Sequence, residues 1–403
     1  RDGVRAYLRA DEAVRRTQIL AELDDMEGAT VPRVAELLKR MRPPLSVPDE
    51  ANVGHGVAKL TAPGLPGESD VSDYVQLPPE YNPRRRYPTI VTLPSHGYPI
   101  ARQLDFWAGQ PREDAPRLGQ AMRHGYITIA VDWLRPHQTR YGYSGREHHA
   151  VLGSLRHALR HFAIDSDRVF LTGHDIGGTA AWDIGLAHPD LWAGVIPILA
   201  ESERYATRYW PNGEYVPWYF VQGEKDGKKM VENAADFDRY LRPKFDVTLV
   251  EFQGRGYEWL NDEIQNLFDW MNRRTRRPAP NEFECVTMRP WDNYFWWLEV
   301  ENWPEKTQVD PTTWPPPRGA RPAKVRGKTL ETNKVSVAAR AERTTVWLTP
   351  DMVDFDDQIT VEVNGRRITG RQRLVDPDLA VLLEDARTRS DREHPYWAKL
   401  TSD

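Results

Sequence analysis

The sequence predicts an α/β fold: a mostly parallel sheet with helices on both faces, preceded by a helical arm and followed by a β-rich, sandwich-like part. Three observations lead there. From about Val71 to Arg273, short apolar runs alternate with amphipathic stretches, and strands alternating with helices form parallel sheets covered on both sides. One run, Val169-Phe170-Leu171-Thr172, leads through Gly173-His174-Asp175-Ile176-Gly177 into helix-forming sequence from Gly178 to Leu186, a strand, a tight turn and a helix in succession. Beyond Arg276-Arg277-Pro278-Ala279-Pro280 the helical period gives way to short β-branched runs.

Residues 1–45 read as the helical arm. Val4, Tyr7 and Leu8, then Ile19, Leu20 and Leu23, recur at helical spacing. A further helix from Val31 to Met41 has Pro32 in its first turn and ends at Pro43-Pro44. This arm is expected to pack on the main body of the protein or on a partner.

Residues 46–278 read as the α/β part. Strands are expected at Tyr74–Leu77, Thr89–Leu93, Tyr126–Val131, Val169–Thr172, Ala193–Ile198, Trp218–Gln222 and Val247–Phe252. Helices are expected at Leu118–His124, Glu147–Phe162, Met230–Leu241 and Asp262–Arg273. Residues 279–403 carry short strands at Tyr294–Val300, Lys334–Ala338, Thr344–Leu348 and Ile359–Val363, the last entering an Asn364-Gly365 hairpin turn.

Bulk properties narrow the class. A net charge of −5 with no long Lys/Arg block gives no footprint for nucleic acid. No apolar run approaches the ~20 residues of a membrane span. A single cysteine, Cys285, excludes an internal disulfide framework. The sequence opens on Arg1 without a signal-peptide pattern, which leaves an upstream export signal open and the compartment undetermined. The expectation is a soluble globular protein.

The pattern G-x-D-x-G at Gly173–Gly177 has the context of a nucleophile elbow, with aspartate where serine is usual. Together with Leu93-Pro94-Ser95-His96-Gly97, Gly223-Glu224-Lys225-Asp226 and Gly254-Arg255-Gly256-Tyr257-Glu258, each placed after a strand, residues 71–275 resemble the α/β-hydrolase superfamily. The likeness is to bacterial serine esterases and prolyl-oligopeptidase-type peptidases. It implies the α/β-hydrolase fold. It also places Asp175 at the nucleophile position, Asp226 at the acid position with Glu224 as the nearby alternative, and Tyr257 where relatives carry the base histidine. Oxyanion donors would be the backbone N–H of Ile176 and one from the His96-Gly97-Tyr98 turn.

Two positions of the triad are therefore exchanged. Tyrosine titrates near pH ~10 and is a poor general base at neutral pH, and no histidine occurs between His188 and His394. The expectation is a pseudohydrolase whose pocket serves binding or assembly, with a small molecule, a peptide, a protein partner or a second copy as occupant, and no cofactor or metal. The rival expectation is an active hydrolase with a base recruited from His96, His174 or elsewhere. It would act on ester or peptide bonds, or attack epoxides or haloalkanes with Asp175 as do hydrolases with an aspartate nucleophile. A third reading has Asp175 and Asp226 hold a cation. His148-His149 and the pair His157, His161 are assigned structural roles, the latter lacking the Glu of H-E-x-x-H. The tryptophan-rich Trp291–Trp303 is assigned to core or interface.

Overall fold

The computed structural model describes residues 1–48, 56–113, 115–370 and 374–402. Three helices open the chain: α1 (Asp2–Arg9), α2 (Ala13–Asp24) and α3 (Val31–Arg40). An eight-stranded sheet follows, built from β1 (Val57–Ala62), β2 (Val71–Gln76), β3 (Tyr87–Leu93), β4 (Ile127–Val131), β5 (Ile164–His174), β6 (Gly194–Ile198), β7 (Trp218–Gly223) and β8 (Val247–Phe252). The strands lie in the order β1-β2-β4-β3-β5-β6-β7-β8. The first two pairings, β1 with β2 and β2 with β4, are antiparallel, and every later pairing is parallel.

Helices α4 (Ile100–Ala108), α5 (Gln120–His124), α6 (Gly145–His161), α7 (Ile176–Ala187), α8 (Ala206–Tyr209) and α9 (Lys229–Tyr240) lie between these strands, and α10 (Ile264–Met271) follows β8. The sheet has a core on each face. Val151, Leu155, Trp182 and Phe237 join one, and Trp107, Met122, Leu267 and Phe268 join the other. Strands β4 and β7 are buried at every position, which is why they read as continuous apolar runs instead of alternating ones. A large central sheet covered by helices is consistent with an α/β-hydrolase fold.

The remaining strands are β9 (Glu282–Thr287), β10 (Tyr294–Phe295), β11 (Leu298–Glu301), β12 (Ala323–Leu330), β13 (Lys334–Ala339), β14 (Arg343–Leu348), β15 (Thr360–Val363), β16 (Arg366–Arg367) and, after α11 (Leu379–Thr388), β17 (Ala398–Ser402). They form a five-stranded and a four-stranded sheet that share one apolar core, with Val325 and Val361 from the first meeting Val346 and Leu348 from the second. The Asn364-Gly365 turn has φ of 52° and 78°, the paired positive values a two-residue hairpin demands.

The single strand expected over Tyr294–Val300 is instead a hairpin that turns at Trp296-Trp297, with Phe295 facing Leu298. Both indoles pack on Phe283, at 4.8 and 5.1 Å between ring centres. Successive residues of a straight strand point to opposite faces, so only a turn brings both rings to one core. The helical arm finds its partner at the far end of the chain: Val4, Leu8, Ile19, Leu23 and Leu38 share a core with Leu382, Leu383 and Ala386 of α11.

Candidate active site

Strand β5 and helix α7 meet at Asp175, whose φ of 54° and ψ of −117° lie where a side chain is strained. Two glycines allow the turn to close. A Cβ on Gly177 would stand 2.1 Å from the Leu93 carbonyl oxygen at the end of β3, and one on Gly173 would stand 2.2 Å from the Gly177 oxygen. The Asp175 amide is fixed by a 2.9 Å hydrogen bond to the Ile198 carbonyl of β6. The elbow is thus wedged between the carboxyl ends of β3, β5 and β6, where parallel sheets present their sites.

Both oxygens of the Asp175 carboxylate are engaged. Lys229, the first residue of α9, donates from Nζ to Oδ1 at 2.8 Å, and Ser95 donates from Oγ to Oδ2 at 2.8 Å. The same ammonium lies 2.9 Å from Asp226 Oδ2 and donates to the Leu199 carbonyl at 2.8 Å. Lys229 therefore lies between Asp175 and Asp226. The place a bound cation would take is filled by the chain's own ammonium.

Burial of Asp175 favours its neutral form, but the Lys229 ammonium, aided by Ser95 and the Ile176 N–H, outweighs it and holds the carboxyl below the usual carboxylate range. For Lys229, burial works against the charge, and Asp175 and Asp226 outweigh it, so the ammonium holds its proton more firmly than an ordinary lysine. The two directions agree. A carboxylate stabilised in this way is a weak proton acceptor and a weak nucleophile, and an ammonium so held is not a base.

Tyr257 lies beside Asp175, its hydroxyl 3.5 Å from Oδ2. Burial, reinforced by the charge of Asp175 and by Tyr98, raises its phenol above the ordinary value, with Ser95 opposing, so it keeps its proton. Its ring stands 5.8 Å from the Lys229 ammonium. His174 is held by groups other than the carboxylate. It is buried against Phe106 and Trp259, and Gln103 Nε2 lies 2.9 Å from its Nδ1. Burial pushes its pKa down to about 3, so it stays a neutral packing residue. His96 and Gly97 are exposed, and Ile176 opens α7. Among the described residues no imidazole is hydrogen-bonded to Asp175.

A cavity of about 230 Å³ opens over this group, lined by Ser95, Tyr98, His174, Leu199, Tyr257 and Trp259. Its walls are largely aromatic, with Ser95 beside the carboxylate. Sequence reasoning missed Ser95 and Lys229. The signal for Lys229 was its position three residues after Asp226 at a helix start, a spacing that lets the two side chains meet. Of the pair His148, His149, His148 is buried against Asp183 of α7. His149 lies 3.1 Å from the Pro63 carbonyl.

No protein-family model matches the chain, and no curated protein matches it. Solved structures similar in shape include a thermostable esterase (18% identity, TM-score 0.45), where the match covers 56% of this chain and 64% of that one, less than two thirds of its length. An S-formylglutathione hydrolase from Agrobacterium tumefaciens matches at 13% identity and TM-score 0.45, over 57% of this chain and 99% of that chain. A thermophilic esterase from Thermogutta terrifontis matches at 12% and 0.42, over 56% and 92%. Likenesses this distant assign no activity to the chain.

Proposed function

We propose that this chain is a pseudohydrolase: an α/β-hydrolase-type scaffold that keeps the pocket of an esterase and has given up acyl transfer. The observation that carries the reading is the Asp175–Lys229–Asp226 ion group. In a working triad the nucleophile position faces a base that removes its proton. Here it faces a cation that pins an already ionised carboxylate. Attack by Asp175 on an epoxide or haloalkane would require breaking its bond to Lys229. Release of the resulting ester would then need a base to activate water, and the groups around Asp175 are Ser95, Lys229 and a phenol that keeps its proton. The remaining role is to bind a small ligand against Tyr98, Tyr257 and Trp259, whose rings form the pocket wall.

The test is an activity panel of aryl esters, peptide anilides, epoxides and haloalkanes on the wild type and Asp175→Asn. The expected result is no turnover that distinguishes the two proteins. Turnover on any one substrate that collapses in Asp175→Asn defeats the reading.

A further inference from the structure

Beneath the elbow helix, away from the pocket, lies a second cluster of charged and imidazole groups. His148 Nδ1 of α6, His188 Nε2 just after α7, and Asp292 Oδ1 in the turn between β9 and β10 converge on one point. Their separations are 3.1 Å between the two nitrogens, and 3.5 and 3.7 Å from each nitrogen to the oxygen. Donors bound to a tetrahedral ion at about 2.0–2.1 Å stand roughly 3.3–3.4 Å apart, a value inside this range. From these three donors we infer a buried binding site for a divalent transition metal, zinc being the ion whose geometry and ligand preference fit best.

Three further observations support the site. Asp292 is fully buried, and its Oδ1 has no hydrogen-bond partner among the described residues; such an oxygen is costly unless something positive meets it. Its other oxygen, Oδ2, accepts from Arg289 Nε at 2.6 Å and from the Tyr209 hydroxyl at 2.9 Å, which orients the carboxylate.

His148 is oriented in the same manner. Its Nε2 lies 3.1 Å from Asp183 Oδ2 and 2.9 Å from the Tyr141 oxygen. Tyr141 donates its only proton to Asp183, so its oxygen can only accept, and Nε2 must carry hydrogen. The neutral ring then offers its Nδ1 lone pair to the site, completing the carboxylate–histidine–metal relay that tunes such ligands.

Charge gives the third. Among the described residues Asp183 and Asp292 are both ion-paired to Arg289, with all three fully buried, so this trio carries one negative charge in excess when both imidazoles are neutral. Two imidazoles and one carboxylate suit zinc better than calcium or magnesium, which take oxygen donors. His188 also borders a cavity of about 280 Å³. The ion would tie α6, the end of the elbow helix and the β9–β10 turn together.

The full-length chain, prepared without a histidine tag from zinc-supplemented cells, is expected to hold one zinc per chain by elemental analysis. Chelation is expected to lower Tm by roughly 5 °C or more, with recovery on adding Zn²⁺ alone, and Co²⁺ in its place should give the visible spectrum of a tetrahedral site. Asp292→Asn and His188→Gln, each measured for metal content alongside its Tm, should lose the ion. A folded wild type that holds no zinc, and whose Tm is unmoved by Zn²⁺ or Co²⁺, overturns the inference. One zinc retained in both variants overturns the assignment of these ligands.

Discussion

Lys229→Met is expected to lose about 2–4 kcal/mol of stability near neutral pH, somewhat below the ~3–5 kcal/mol of a fully buried pair because the group borders the pocket. The Lys229 side chain is 11% exposed, and its ammonium is the ion-pair partner of both Asp175 and Asp226. Without it, two carboxylates face each other with no counter-charge, and one must bind a proton. The dependence on pH then changes sign. In the wild type the Asp175 pKa is depressed, so its contribution is full above the unfolded value and is lost as pH falls through the folded one. In the variant one carboxyl is raised, so its contribution is full in acid and is lost as pH rises. Thermal melts of both proteins between about pH 4 and pH 8 read this directly. Parallel curves would show that Lys229 does not neutralise Asp175.

Asp73→Asn is expected to act the other way and stabilise the protein at neutral pH. Asp73 sits fully buried in β2, accepts a 2.8 Å bond from Ser154 at Oδ1, and has no partner for Oδ2. Burial raises its pKa to about 8, with Ser154 opposing and Asp132 adding. A raised acid contributes stability that is full below its unfolded pKa and is lost as pH climbs toward the folded one. Between about pH 4 and pH 7 that loss is on the order of 3–4 kcal/mol. Asparagine is neutral throughout and still accepts from Ser154, but its second amide group lacks a partner. The net gain is therefore about 1–3 kcal/mol at pH 7, vanishing near pH 4. Denaturant titrations at the two pH values test it. A variant less stable than wild type at pH 7 would mean that Asp73 is ionised and compensated.

The elbow was legible in the sequence because its determinants are local. Gly173 and Gly177 are adjacent to the turn they permit, and the apolar run of β5 precedes them. The position of Tyr257 could be read from its place after the last strand, and the structure sets its hydroxyl 3.5 Å from Asp175. The ion group could not be read, since Lys229 lies 54 residues from Asp175 and meets it only through the order of the sheet. The same holds for the helical arm, whose amphipathic spacing announces a buried stripe without naming α11 as its partner. The Trp296-Trp297 turn escaped notice because consecutive aromatic and β-branched residues look like strand. Only the core they share with Phe283 requires the reversal.

The direct measurement of whether Asp175 is a counter-ion or a nucleophile is made on the carboxylate itself. The wild-type chain is incubated with a haloalkane and an aryl epoxide in heavy-oxygen water, and the tryptic peptide running from Val169 to Arg204 is weighed. A nucleophilic aspartate either accumulates as an alkyl ester or, once that ester is hydrolysed, carries solvent oxygen in its carboxylate. With both oxygens held by Lys229 and Ser95, the expected peptide carries neither adduct nor heavy oxygen at Asp175. An ester or a heavy-oxygen label on that residue would contradict the account.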